Sequence, residues 1–270
     1  MASLVNQPTP DQAVTTVALV QLCCDETELP QDRVERALVL AAQSTDTADL
    51  VVLPELWLAG AFDVHGSERL AQALDGPLVQ EFQKLAASTQ TWIHMGSIAE
   101  REAGLTYNTA VLINDHGDVV CTYRKRHLFG FDGGELEVMT AGEEFVVADT
   151  LVGRVGLGTC YDLRFPEQFR SLVDRGATGF VMTSGWPAER IGHWRVLLQA
   201  RAIENQAWVI ACNGVGTQCG TKLGGRSAVI DPLGHVIAEA GTEEEVLFAQ
   251  VNPSAATAWR TEFPTLMDRR

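Results

Sequence analysis

The sequence predicts an α/β fold carried by one domain, and three observations point to it. Short Val-, Ile- and Leu-rich runs alternate with stretches whose apolar residues recur at helical spacing. One pair of runs is joined by a link of hairpin length, so part of the sheet is antiparallel. No linker, repeat or low-complexity block interrupts residues 13–270, while residues 1–12, with Pro8 and Pro10 among polar neighbours, read as a flexible arm.

Taken in order, residues 13–22 form a strand. Residues 29–41 form a helix, with Pro30 in its first turn and Val34, Leu38 and Ala41 on one inward stripe. A buried strand over 50–53 ends at Pro54, which cannot donate to a ladder, so Glu55, Leu56 and Trp57 leave the sheet. A helix over 78–87 leads to a strand over 92–98, and the runs 108–113 and 119–123 flank Asp115-His116-Gly117-Asp118 as a hairpin. Beyond a Gly-rich loop at 130–142, a strand over 152–157 ends at Gly158-Thr159-Cys160, and Pro166 opens a helix to Val173. A strand over 179–182 and a helix over 188–206 with Ile191, Trp194, Leu198 and Ala202 on one face follow. Strands near 208–212, 227–230, 236–238 and 247–251 complete the pattern.

Composition narrows the function. With 46% hydrophobic residues and a mean hydropathy of +0.02 the chain has material for a sizeable core. Its 20 Lys+Arg against 35 Asp+Glu leave a net charge of −15, which disfavours nucleic acid and anionic membranes as partners. The six cysteines show no CxxC pairing and read as reduced, in a cytoplasmic protein. No basic-then-apolar leader opens the sequence, and every apolar run falls short of the roughly 18 residues a membrane span needs.

Three residues stand out chemically. Cys160 follows a buried strand, lies behind small residues and precedes a helix start, the context of a nucleophile elbow, although most free cysteines are packing residues. Glu55 lies at the carboxyl end of a buried strand, where α/β sheets collect ligand chemistry, although alone an exposed loop carboxylate is the plainer reading. Lys125 ends a hairpin strand inside a basic cluster of an acidic chain, where a solvated edge charge is the plainer reading.

Together the motifs say more. Pro54-Glu55-Leu56-Trp57, Tyr123-Arg124-Lys125-Arg126-His127-Leu128 and Gly158-Thr159-Cys160-Tyr161-Asp162-Leu163-Arg164-Phe165-Pro166-Glu167 occur in the order and spacing of the nitrilase superfamily of carbon–nitrogen hydrolases. Tyr107-Asn108-Thr109-Ala110, Ser184-Gly185-Trp186-Pro187 and the run 200–206 extend the likeness over about residues 13–265. The chain resembles the amidase side, near the omega-amidase-like branch, because Tyr161-Asp162 stands where nitrile-cleaving members usually carry Trp-Glu. The resemblance implies a four-layer α-β-β-α sandwich that pairs into a homodimer, and a Glu55-Lys125-Cys160 triad working without metal or organic cofactor on a small aliphatic amide, carboxylated or not. It further implies a fourth glutamate after the lysine, Glu135 by family spacing with Glu137 as the fallback. Lys125 and the backbone N–H of Tyr161 would hold the oxyanion, and Tyr161 and Trp186 would wall the acyl pocket. Nitrile or N-carbamoyl hydrolysis is the neighbouring alternative, and a thiol redox sensor built on Cys160 or a non-enzymatic binding module are the rivals of another class. Asp162 and Arg164 are expected to form an ion pair behind the elbow, Arg201 and Glu204 an intrahelical pair, and the apolar tail around Trp259, Phe263 and Leu266 to be covered by a partner subunit together with Trp194.

Overall fold

A computed structural model describes residues 14–130 and 133–270; the predicted N-terminal arm lies outside them. Two six-stranded mixed sheets lie face to face. In the first the order is β14 (Glu245–Val251), β1 (Thr15–Gln21), β2 (Leu50–Val52), β3 (Trp92–Glu102), β4 (Leu105–Ile113), β5 (Val119–Arg124). In the second it is β13 (Val236–Glu239), β12 (Ala228–Ile230), β9 (Trp208–Asn213), β8 (Gly179–Ser184), β7 (Gly153–Thr159), β6 (Val147–Thr150), and β10 (Thr217–Gln218) pairs with β11 (Thr221–Lys222) in a separate ribbon. Strands β1, β2 and β3 are mutually parallel, as are β7, β8 and β9, and the flanking pairs are antiparallel. The expected hairpin joins β4 and β5, its turn tied by the Asn114 side-chain oxygen, which accepts from the His116 and Asp118 N–H groups.

The central strands β2, β8 and β9, and most of β1, are continuous apolar runs because both of their faces are covered. Successive side chains point to opposite faces. On β1, Val17 and Leu19 enter the core between the sheets while Ala18 and Val20 meet the outer helices α1 (Pro30–Ser44) and α3 (Pro77–Thr89). On β9, Trp208, Ile210 and Cys212 point between the sheets, and Val209 and Ala211 meet α5 (Pro166–Asp174) and α6 (Ile191–Asn205). Three stacked apolar layers of this kind make the α-β-β-α sandwich. The predicted stripe of α6 holds: Trp194, Leu198 and Ala202 are fully buried.

Some elements escaped the sequence reading. The short helix α2 (Val64–Arg69), the one-turn α4 (Glu135–Val138) and strand β6 carry too few apolar residues for their periodicity to register. The tail docks on its own chain through one face, and Phe263 stays half exposed. The tail forms α7 (Ala255–Glu262), and Arg260 donates to the carbonyls of Ala177, Asn205 and Gln206, with Ala256 in the core between the sheets. Trp194 belongs to the core, where its indole donates to the Arg226 carbonyl, and is not a surface residue awaiting a partner.

Candidate active site

The carboxyl ends of β2, β5, β7 and β8 converge at one end of the sandwich, and the sequence-predicted residues follow them directly. Glu55 comes three residues after β2, Lys125 immediately after β5, Cys160 immediately after β7 and Gly185 immediately after β8. Chain leaving a buried sheet end must turn sharply, and the backbone records it. Leu56 and Cys160, neither of them glycine, hold φ values of +42° and +45°. Such a conformation costs a non-glycine residue about 1–3 kcal/mol.

Around Glu55 the geometry is fully determined. Lys125 Nζ lies 2.7 Å from Glu55 Oε1 and 2.6 Å from Glu135 Oε2, with all three side chains at most 3% exposed. Asn108 Nδ2 donates to Glu55 Oε1 at 2.9 Å and to Glu135 Oε1 at 2.6 Å, bridging the carboxylates from β4. The Gly185 N–H donates to Glu55 Oε2 at 2.9 Å, and the Phe129 N–H to Glu135 Oε2 at 2.7 Å. The turn itself is braced by Ser97, whose hydroxyl accepts from the Leu56 N–H, and by Trp57, whose indole donates to the Met95 carbonyl. Gly96, at φ +71°, must be glycine here, since a Cβ would lie 1.9 Å from the Pro54 carbonyl oxygen.

The electrostatics follow from two carboxylates sharing one ammonium away from water. Burial alone would push the Lys125 pKa down, but the negative charges of Glu135 and Glu55, with Cys160 beside them, outweigh it and hold it well above the usual lysine range. Burial raises the Glu135 carboxyl, opposed by Lys125 and reinforced by Glu55. The Cys160 thiol is pushed well up by burial first and then by the Glu55 charge, with Lys125 and the Ser184 hydroxyl pulling the other way. Burial and the Glu55 charge thus both disfavour the thiolate form of Cys160.

The Cys160 turn is held from behind. Asp162, fully buried, accepts from the Thr159 N–H at 2.9 Å, the Tyr123 hydroxyl at 2.7 Å, the His127 N–H at 3.0 Å and, at 2.8 Å, His127 Nδ1. Tyr123 and His127 flank Lys125 in sequence, so one carboxylate ties the Lys125 segment to the Cys160 elbow. Asp162 therefore does not pair with Arg164 as expected; its four partners leave it no free lone pair, and Arg164 lies over the Trp186 ring, 4.8 Å from its centroid. The Arg201–Glu204 pair forms as predicted at 2.7 Å. Of the two candidate fourth glutamates, Glu135 is in the cluster, whereas Glu137 is half exposed with His65 3.6 Å away. Residues two apart on a helical turn point some 200° apart, so only one can face inward.

Above the cluster opens a narrow cleft whose lining includes Cys160, Tyr161, Trp186, Phe62, Phe129 and the two arginines Arg164 and Arg190. Trp186 is buried, its indole donating to the Arg190 carbonyl at 2.8 Å and its N–H to Asn213 Oδ1 at 2.6 Å. Phe129 meets Tyr161 and Phe62 edge-on, at 5.3 and 6.0 Å between centroids, which gives the cleft an aromatic wall. Sequence reasoning missed the roles of Asn108, Asp162 and Ser97. Asn108 stood in a quoted motif, but nothing in that motif says which carboxylates it bridges. Among the described residues no group of three or more His, Cys, Asp or Glu is arranged to hold a metal ion, and no helix is long and apolar enough to cross a membrane.

A buried acid–lysine–acid cluster beside a cysteine elbow, at the rim of two stacked sheets, is the constellation that the sequence motifs led one to expect of a carbon–nitrogen hydrolase. Residues 16–261 match the carbon-nitrogen hydrolase family, and the chain belongs to that family. It is 39% identical to a 2-oxoglutaramate amidase of Paenarthrobacter nicotinovorans, covering 98% of this chain and 93% of the relative. It is 30% identical to the human omega-amidase NIT2, covering 94% of each. Among solved structures it superposes on Saccharomyces cerevisiae Nit3, of the nitrilase superfamily, with a TM-score of 0.84, 30% identity and coverage of 94% of this chain and 95% of that one. The expected superfamily and sandwich are thus found, and the chain is a carbon–nitrogen hydrolase on the amidase side.

Proposed function

We propose that this enzyme hydrolyses the amide of a short dicarboxylic monoamide, of the kind named for its 2-oxoglutaramate amidase relatives, to the acid and ammonia through a Cys160 thioester and with no cofactor. The observation that carries this reading is Lys125 Nζ held between Glu55 and Glu135 on the floor of the cleft that Cys160 lines. As sulfur bonds to the amide carbon, Glu55 takes the thiol proton, and Lys125 Nζ and the Tyr161 N–H hold the oxyanion. Each such donor commonly lowers the barrier by about 3–4 kcal/mol. When the C–N bond breaks, the proton passes from Glu55 to the leaving nitrogen and ammonia departs. Glu55 then takes a proton from water, whose oxygen attacks the thioester carbon. The C–S bond breaks and the proton returns to sulfur. Glu135 positions Lys125.

The raised thiol pKa supports a base-assisted nucleophile over a peroxide sensor, which works through a ready thiolate. The family habit of pairing, together with Val196 and Ile203 on α6 and Phe263 and Met267 in the tail, each more than half exposed, supports a homodimer. Ammonia release across amides, monoamides, nitriles and N-carbamoyl compounds tests the reaction. Cys160→Ala should leave less than about 1% of the activity, and a slow amide should leave an acyl mass on the Cys160 peptide alone. Nitrile turnover faster than that of the matching amide would sink the proposal.

A further inference from the structure

Arg164 and Arg190 come from different elements, the 3₁₀ turn after Cys160 and the one before α6, yet both line the catalytic cleft. Arg226, a third arginine with no role in the sequence motifs, is turned instead toward the Ala240 carbonyl and Glu239. Arginines on a pocket wall usually answer to a buried carboxylate of the protein. These two do not. Among the described residues, Arg164 has His193 Nδ1 at 3.4 Å as its polar contact, and Arg190 has only Glu189, 3.7 Å away and 87% exposed, where solvent screens the pair.

Both guanidiniums are nonetheless held in place. Arg164 lies over the Trp186 ring at 4.8 Å and Arg190 over the Phe129 ring at 5.9 Å, and the Trp186 indole fixes the Arg190 backbone. Charge arithmetic inside the cleft points the same way. The catalytic cluster supplies two carboxylates and one ammonium, so without the arginines an anionic substrate would be repelled by Glu55 and Glu135 as well as by a chain of net charge −15. With them the described lining residues comprise three cations and two carboxylates.

We propose that Arg164 and Arg190 form the carboxylate-reading end of the cleft, selecting amides that carry a free carboxylate at the far end of a short chain while the amide reaches Cys160. This rests on the amidase reading and adds to it the residues that choose the substrate. Guanidinium donors held on aromatic faces are pre-organised for a planar carboxylate, and removing either charge-assisted hydrogen bond should lower selectivity about tenfold or more.

The experiment compares kcat/KM for succinamate with that for butyramide, its uncharged counterpart of equal length, in the wild type, Arg164→Gln, Arg190→Gln and the double variant. Both substrates are read on one preparation, so any loss of folded enzyme cancels in the ratio. The wild type should favour succinamate, and the double variant should lower that preference by about 100-fold, mostly through KM. A preference that stays within about threefold of wild type in the double variant overturns the assignment, as does a wild type that takes both amides equally. A wild type that releases ammonia from neither would instead overturn the proposed function.

Discussion

The two strand ends that carry the chemistry solve the same backbone problem in opposite ways. After β2 the chain turns at Leu56, and everything there grips the functional group itself: the Glu55 carboxylate is bonded by Lys125, Asn108 and the Gly185 N–H. After β7 the chain turns at Cys160, and the grip is one step removed, on Asp162, which holds Thr159, Tyr123 and His127. On the proposed mechanism, the first arrangement freezes the base, and the second fixes a backbone while leaving the sulfur facing the cleft. A proton acceptor must keep its geometry through both half-reactions, whereas a nucleophile must move to form and break a bond.

The largest effect should come from breaking the first grip. Lys125→Met leaves two buried carboxylates facing each other, and should cost about 3–5 kcal/mol of stability as well as activity. Denaturant melts at neutral pH measure it, and a loss under about 1 kcal/mol would mean that the cluster relaxes to water. Acid should act on the same side. His94 lies under the Glu55 turn, its carbonyl accepting from the Leu53 N–H, and among the described residues its buried ring nitrogens have no hydrogen-bond partner. Burial lowers its pKa from 6.5 to about 4. A depressed base stabilises the fold fully above its unfolded pKa and loses that contribution as pH falls, so between about pH 6.5 and 4 this histidine should withdraw about 3 kcal/mol. His94→Leu should flatten that limb of the stability–pH curve; an unchanged limb would assign acid sensitivity elsewhere.

Loosening the second grip should cost less. Asp162→Asn keeps shape but loses charge toward His127 and Tyr123, and about 2 kcal/mol of stability with it. Activity should fall by about tenfold or more as the elbow shifts against Lys125. An Asn variant with wild-type kcat would show that the elbow holds without its charge. The smallest effect separates the two glutamates of α4. Glu137→Gln should change stability by less than about 0.5 kcal/mol and leave turnover as it is, while Glu135→Gln should lower kcat. Equal behaviour of the pair in a steady-state assay would contradict the burial difference between them.

Much of this architecture is legible in the linear chain. Strands buried on both faces are unbroken apolar runs, so β1, β2, β8 and β9 announce themselves, and α6 shows its inward stripe in Ile191, Trp194, Leu198 and Ala202. Glu55, Lys125 and Cys160 are legible only together, because each stands at or near a strand end inside a motif and the three motifs occur in the order of one family. The tertiary structure alone decided what those residues meet. Glu55 and Lys125 are 70 positions apart, and no periodicity states that Asn108 bridges their cluster, that Glu135 and not Glu137 enters it, or that Asp162 turns to Tyr123 and His127 instead of Arg164. Local patterns encode which face of an element is buried; partners across the sandwich depend on how two sheets stack, and that is set by the whole core at once.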